Sequence, residues 1–312
     1  MKIVIIGPGA MGCLFAGLLV EAGQEDVWLL DKHEERAEEI ARNGVKIEGM
    51  GRAGSRLVRG IQATANPKEI GTADIVLICV KSYDTAEASH SILPTVGNNT
   101  TVLTLQNGLT NVEVISRILG EDKVIAGVTS HGATMLGIGH IRHAGIGETV
   151  VGEPGEGSSP RTERIANILR SAGFQTTVSC DIYSSIWGKL IINAAINPLT
   201  AITRLKNGEL LKYEETRKLL SMIAEESAEV ATARHISLPY DDAKSSVEAV
   251  CEATASNISS MLQDVLNQKR TEIDAINGAI VCEARKAGIE TPINETLTYL
   301  VKGIGKGVGN RE

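Results

Sequence analysis

Apolar residues come in short unbroken runs through the first half of the chain and at helical spacing through the second. Ile3-Val4-Ile5-Ile6, Val27-Trp28-Leu29-Leu30, residues Ile75 to Val80, Thr101 to Leu105 and Val124 to Val128 are of strand length. Runs without polar alternation suit parallel strands covered on both faces. Helical patterns lie between them at Glu34 to Asn43, Thr85 to Leu93 and Val112 to Leu119. Strands alternating with helices predict a doubly wound parallel sheet, with any nucleotide site at the carboxyl ends of its strands. From Gly132 to Gly157 the texture turns to glycine and histidine, and His140 to His143 and Glu148 to Gly152 read as antiparallel additions to that sheet. A loop at Gly155 to Pro160, a helix at Arg161 to Ala172 and a strand at Thr176 to Val178 follow.

After Asp181 strand signals stop. Ile182 to Ala195, Lys212 to Arg234, Tyr240 to Gln268, Thr271 to Ala287 and Asn294 to Lys302 read as helices, punctuated by Gly288 and Pro292, and Gly303 to Glu312 as a frayed tail. The expected fold is α/β: an N-terminal Rossmann-type domain over residues 1–180, then an all-α domain over 181–312. A chain of 312 residues fits two such cores.

The first strand runs into Gly7-Pro8-Gly9-Ala10-Met11-Gly12 and then a small-residue helix. In a dinucleotide-binding unit the glycine at position 7 allows a tight turn, that at 9 admits a pyrophosphate, and that at 12 brings helix and strand together. The helix amino terminus adds free N–H groups and a positive dipole end. Those glycines also argue against reading Met1 to Val20 as a secretory segment.

Net charge is −7 and no basic stripe is present, so a nucleic-acid surface is not expected. No apolar run reaches the roughly 20 residues of a membrane span. Cys13, Cys79, Cys180, Cys251 and Cys282 are odd in number and scattered, which suits buried apolar positions in a reducing cytoplasm. The six histidines lack ligand spacing; His131, near a strand end, reads as structural, and no metal site is expected. A homodimer is left open.

Two features bear on chemistry. Asp31 ends the second strand 24 residues after Gly7, where an acidic side chain binds an NAD ribose, but Lys32 follows it and suits an NADP 2′-phosphate. The pair is ambiguous, and Lys32 reads equally as a solvated charge. Lys189, Asn193 and Asn197 recur at i, i+4 and i+8 within the otherwise apolar stretch Leu190 to Ile196. At about 100° per residue their heads share one helix face. Buried polar groups need partners. The stripe is therefore either a hydrogen-bonded structural helix ending at Asn197-Pro198 or the polar floor of a substrate site.

From Met1 to about Leu300 the chain resembles the 2-dehydropantoate 2-reductases, or ketopantoate reductases. The marks are the glycine turn, Val80-Lys81-Ser82, Gln106-Asn107-Gly108, Lys189-Leu190-Ile191-Ile192-Asn193, Asn197-Pro198-Leu199-Thr200, Asn207-Gly208-Glu209, Ser259 to Asp264, Arg270 to Asp274 and Ile276-Asn277-Gly278. The resemblance implies reduction of the C2 carbonyl of 2-dehydropantoate to (R)-pantoate by NADPH, on the way to pantothenate and coenzyme A. It makes Lys189 the general acid and gives Asn107, Asn193, Asn197, Asn207 and Ser260 to the substrate. Gly7, Pro8, Gly9, Ala10, Met11, Gly12, Lys81, Asn107, Ala133 and Glu272 would contact the cofactor or close the site, with Glu272 beside Lys189. Lys32 falls at the family's 2′-phosphate position, which favours NADP; Asp31 keeps NAD open. A same-fold reductase of another 2-oxo acid is the alternative, and a non-catalytic nucleotide sensor a more distant one.

If Ser260 and Glu272 serve one site, a straight helix would hold them about 18 Å apart along its axis. A break between them is therefore expected, with Thr271 capping a new helix and Asp274 completing a capping box.

Overall fold

The computed structural model describes residues 1–49, 54–155 and 157–309. The chain forms two compact units. One comprises residues 1–106 and 111–182, and the other residues 107–110 and 183–312.

In the first unit the strands are β1 (Lys2–Ile6), β2 (Asp26–Leu30), β3 (Val45–Gly49), β4 (Arg56–Val58), β5 (Gln62–Thr64), β6 (Ile75–Ile78), β7 (Thr101–Thr104), β8 (Val124–Thr129), β9 (Gly132–Gly137), β10 (His140–Gly145), β11 (Thr149–Gly152) and β12 (Thr176–Val178). Helices α1 (Ala10–Glu21), α2 (Glu34–Asn43), α3 (Thr85–Ser91), α4 (Asn111–Leu119) and α5 (Pro160–Ser171) join them. The main sheet runs β12-β11-β8-β7-β6-β1-β2-β5. From β5 to β8 all pairs are parallel, and β11 enters antiparallel to β8. Chain order reverses at β1, which lies between β2 and β6. Such a switch point leaves a crevice beyond the strands' carboxyl ends. Here it lies beyond Ile6 and Ile78.

The expectation that His140 to His143 joins the main sheet is corrected. β9 and β10 form a hairpin that pairs with β3 in a second sheet, ordered β4-β3-β10-β9. Val45, Ile47, Val58 and Ile141 are buried there in the core that contains α1. A Cβ on Gly17 of α1 would stand 2.6 Å from Ile47 Cδ1, so the bare backbone permits that approach. Strands β3 to β5 lie in a stretch where no strand was anticipated.

The second unit is helical: α6 (Ile182–Thr203, from its second residue), α7 (Glu214–Ala233), α8 (Ala243–Ala253), α9 (Ser260–Leu266), α10 (Asn277–Ala287) and α11 (Pro292–Gly309). Trp187, Leu190, Ile191, Leu220, Ile223, Val247, Ile273 and Ile280 share its buried core. Four helix expectations are corrected. α6 runs eight residues beyond Ala195, straight through Pro198. Tyr240 to Gln268 is two helices, each begun by a side-chain cap: Asp242 accepts from the Lys244 and Ser245 amides, and Ser259 from Leu262. α10 starts at Asn277, not Thr271, after a turn in which the Glu272 carbonyl accepts from the Ala275 and Ile276 amides. α11 continues through Gly303 to Gly309, where a frayed tail was expected; residues 310–312 lie outside the described ones. The break between Ser260 and Glu272 is present, although the Thr271 capping box is not.

Candidate active site

On the first unit the glycine turn has the expected mechanics. Gly7 adopts φ +90°, and a Cβ there would lie 2.7 Å from Val80 Cγ1. A Cβ on Gly12 would stand 2.2 Å from the Gly7 carbonyl oxygen, a backbone atom that has no room to retreat. Gly9 differs, because a Cβ there would meet nothing within 4 Å. Its backbone therefore borders open space, as a pyrophosphate-binding turn requires. Gly9 is also the N-cap of α1; no side chain caps the helix and its first turn holds no acidic residue. The amides of Ala10, Met11 and Gly12 thus face that space with the positive end of the dipole.

Lys81 follows β6 and begins the turn Ser82–Asp84. That loop is pinned to the end of β7 by Gln106, whose Nε2 donates to the Val80 carbonyl at 2.7 Å and to Thr85 Oγ1 at 2.9 Å. In the sequence Gln106 stands out only as part of the Gln106-Asn107-Gly108 motif, which carries no signal of this positioning role. Ala133 lies on β9 opposite His143.

At the ribose end the structure alters the picture of Asp31. Its buried carboxylate accepts the His33 amide at 3.1 Å on Oδ1 and pairs with Arg36 Nε at 3.0 Å through Oδ2. Oδ1 is therefore hydrogen-bonded, whereas the buried Oδ2 is ion-paired but accepts no hydrogen bond. Lys32 is half-exposed, with its ammonium 3.8 Å from Asp84 Oδ1 and from Glu87 Oε2. Arg36 was missed; the signal was a basic residue in the first turn of α2, five positions after the acidic one.

On the second unit, α6 carries Lys189, Asn193 and Asn197. Burial pushes the Lys189 ammonium down to about 8, and the nearby Glu272 carboxylate partly opposes that fall. An ammonium with such a pKa is charged at neutral pH yet gives up its proton readily. Glu272 is buried on the turn before α10. Asn107 reaches this unit through a local cross-connection: Leu109 donates to the Ala275 carbonyl at 3.3 Å. Gly108, at φ +96°, lies so near that a Cβ would come within 2.7 Å of the same oxygen. The structure thus brings the Asn107 segment to the Glu272 turn and the Glu272 charge to Lys189.

Asn197 and Asn207 are both buried, and each leaves a polar atom without a hydrogen-bond partner: Nδ2 of Asn197 and Oδ1 of Asn207. One is a donor and the other an acceptor, the complement a hydroxy acid needs. Such groups cost about 1–3 kcal/mol each when left unpaired. Asn207 is held by its Nδ2 on Thr254 Oγ1 at 2.9 Å and its amide on the Asn257 carbonyl at 3.1 Å. Asn193 is half-buried, whereas Ser260 is exposed on the first turn of α9. The buried neighbour Ser259 bonds Thr200 Oγ1 at 2.6 Å and ties that turn to α6.

Comparisons with known proteins agree on a family. The model described as ketopantoate reductase PanE/ApbA matches residues 3–156, and that of its C terminal matches residues 181–305. A 2-dehydropantoate 2-reductase of Archaeoglobus fulgidus is 36% identical over 308 residues, covering 98% of this chain and 99% of the relative. The crystal structure of a PanE/ApbA family ketopantoate reductase from Ralstonia eutropha JMP134 superimposes with a TM-score of 0.90 at 34% identity, covering 99% of this chain and all of that one. The ternary structure of D-mandelate dehydrogenase with NADH and anilino(oxo)acetate has a TM-score of 0.91 at 28% identity, with 99% of each chain covered. Matched by both family models and along nearly its whole length by that 36% identical relative, the chain belongs to the ketopantoate reductase family.

Proposed function

We propose that this protein is an oxidoreductase that reduces the C2 carbonyl of 2-dehydropantoate to (R)-pantoate with NADPH, supplying pantothenate and coenzyme A synthesis. The observation that carries the reading is Lys189, a lysine held near pKa 8 beside Glu272 on the helix that also bears the unpartnered Asn197 amide. A bound nicotinamide supplies the hydride; the chain's own residues do the rest. As negative charge grows on the carbonyl oxygen, the Lys189 Nζ ammonium stabilises it and transfers its proton there. Glu272 favours the charged form of that lysine. The amides of Asn193, Asn197 and Asn207 suit the substrate's carboxylate and hydroxyls, with Ser260 and Asn107 contributing from their own segments.

The cofactor's pyrophosphate would rest on the Gly7–Gly12 turn, with Lys81, Ala133 and Glu272 as further contacts. NADPH is favoured over NADH because the Asp31 carboxylate is ion-paired with the Arg36 Nε. That pairing offsets the charge which would repel a 2′-phosphate, and the remaining guanidinium N–H groups of Arg36, with the exposed Lys32 ammonium, suit such a group. The residues 1–180 and 181–312 then divide the labour as cofactor and substrate domains. Reduction of an aryl 2-oxo acid with NADH is the second reading, favoured by the fold match to D-mandelate dehydrogenase. NADPH and NADH oxidation against a panel of 2-oxo acids tests both.

A further inference from the structure

Helix α6 contains a defect in the turn that carries Asn197, the last of the α6 residues proposed to bind substrate. Pro198 lacks an N–H, so the carbonyl four residues earlier, that of Ala194, has no ordinary helical partner. Proline also disfavours helical backbone at the residue before it, which is Asn197. Yet α6 continues unbroken to Thr203. The missing donor is replaced from another helix. Asn277 Nδ2, at the start of α10, donates to the Ala194 carbonyl at 3.0 Å.

The orientation of that amide is dictated by a relay. Glu226 on α7 accepts the backbone amides of Ile293 at 3.1 Å and Asn294 at 2.8 Å. It also accepts Asn294 Nδ2 at 2.8 Å, and the same nitrogen reaches Ser227 Oγ at 3.2 Å. A carboxylate only accepts, so it holds the Asn294 amino group toward itself and turns Asn294 Oδ1 toward Asn277. Asn277 Nδ2 donates to that oxygen at 2.9 Å and has one N–H left for Ala194. A flipped Asn277 would set its oxygen against two oxygens. Asn277, Asn294 and Ser227 are fully buried, and Asn277 Oδ1 has no partner of its own. The site thus tolerates one unsatisfied oxygen for the sake of the two bonds made by the amino group.

We infer that Asn277 is a positioning residue that supplies the hydrogen bond missing at Pro198 and so fixes the turn 194–198, on which Asn197 sits, in line with Lys189 and Asn193 earlier on the helix. The inference rests on reading α6 as the substrate helix. Asn277 also follows directly on the turn that carries Glu272, so the same bond ties that turn to α6.

The test is a double-mutant cycle of Asn277→Ala and Pro198→Ala in the full chain. It is read by the KM and kcat for 2-dehydropantoate, the Kd for NADPH and the thermal midpoint. Asn277→Ala is expected to raise KM about tenfold, as loss of one bond and exposure of a buried carbonyl imply. The NADPH Kd should stay unchanged. Pro198→Ala restores an N–H for Ala194, so in that background Asn277→Ala should raise KM less than about threefold and lower the midpoint less. Equal effects in both backgrounds, or a wild-type KM in Asn277→Ala, would overturn the inference. If Asn277→Ala is insoluble, its rescue by Pro198→Ala supports the inference. If the double variant is insoluble too, Glu226→Gln decides, because it removes the fixed polarity of the relay while keeping its shape. A raised KM supports the role and an unchanged KM overturns it. Should the wild type reduce no 2-oxo acid, the functional reading fails, while the midpoint cycle still tests the bond between Asn277 and Ala194.

Discussion

Lys189 sets the expected pH behaviour of the enzyme. Reduction needs its ammonium, so kcat/KM should be level below its pKa and fall as pH rises through about 8. Glu272 holds that pKa up, so Glu272→Gln should move the falling limb to lower pH; a limb that stays in place would remove Glu272 from this role. Cofactor choice belongs to the same scale. Arg36→Ala frees the Asp31 carboxylate and removes a cation in one step. It should lower kcat/KM with NADPH by about tenfold or more, on the scale of a bond to a charged group, and improve the use of NADH. Lys32→Ala should cost less, since that ammonium is half-exposed and already lies near two carboxylates. Equal losses with both cofactors in the Arg36 variant would contradict the assignment. Lys189 and its spacing to the asparagines were legible in the sequence because they repeat on one helix face. The engagement of Asp31 was not, because its partner depends on how the start of α2 folds back over the strand end.

Elements were legible wherever periodicity was unbroken by tertiary demands. The edges of α2 and β12 coincide with the sequence pattern because the apolar and polar positions change there abruptly. Pro198 misled the reading of α6, since a proline normally ends a helix unless a neighbour replaces the lost bond, and Asn277 does so from more than seventy residues away in sequence. The long pattern from Tyr240 to Gln268 concealed two helices because Asp242 and Ser259 are caps embedded in helix-compatible sequence. His131 carries a prediction at this scale. It lies buried between β8 and β9, with Nδ1 3.1 Å from His143 Nε2 and its ring edge-on to Phe174 at 4.9 Å. Burial, with His143 as a lesser cause, pushes its pKa down to about 4. Its folded pKa lies below the ordinary value near 6.5, so the unfolded chain binds the extra proton between those two values. Stability should therefore fall as pH drops from about 6.5 toward 4, and His131→Phe should flatten that slope; an unchanged acid slope would contradict the buried, neutral imidazole.

For the whole molecule, each unit has its own core, and the two kinds of chemistry fall on different units: the glycine turn and Asp31–Arg36 on the sheet unit, Lys189 and Glu272 on the helical one. Lys189→Ala should therefore leave NADPH affinity nearly unchanged while removing most turnover, by about the 10²–10⁴-fold typical of a general acid. The alternation of strands and helices, followed by helices alone, was enough to read this architecture. The second sheet was not readable, because β3 pairs with β10 across a long intervening stretch of chain, Lys46 opposite His140, and nothing in either strand's own pattern names its partner. The most direct measurement is steady-state oxidation of NADPH by the wild-type chain with 2-dehydropantoate and with aryl and short alkyl 2-oxo acids, the product being resolved on a chiral column. The account predicts the highest kcat/KM for 2-dehydropantoate, (R)-pantoate as the product, and loss of that activity in Lys189→Ala. Preference for an aryl 2-oxo acid, or turnover that survives in Lys189→Ala, would contradict it.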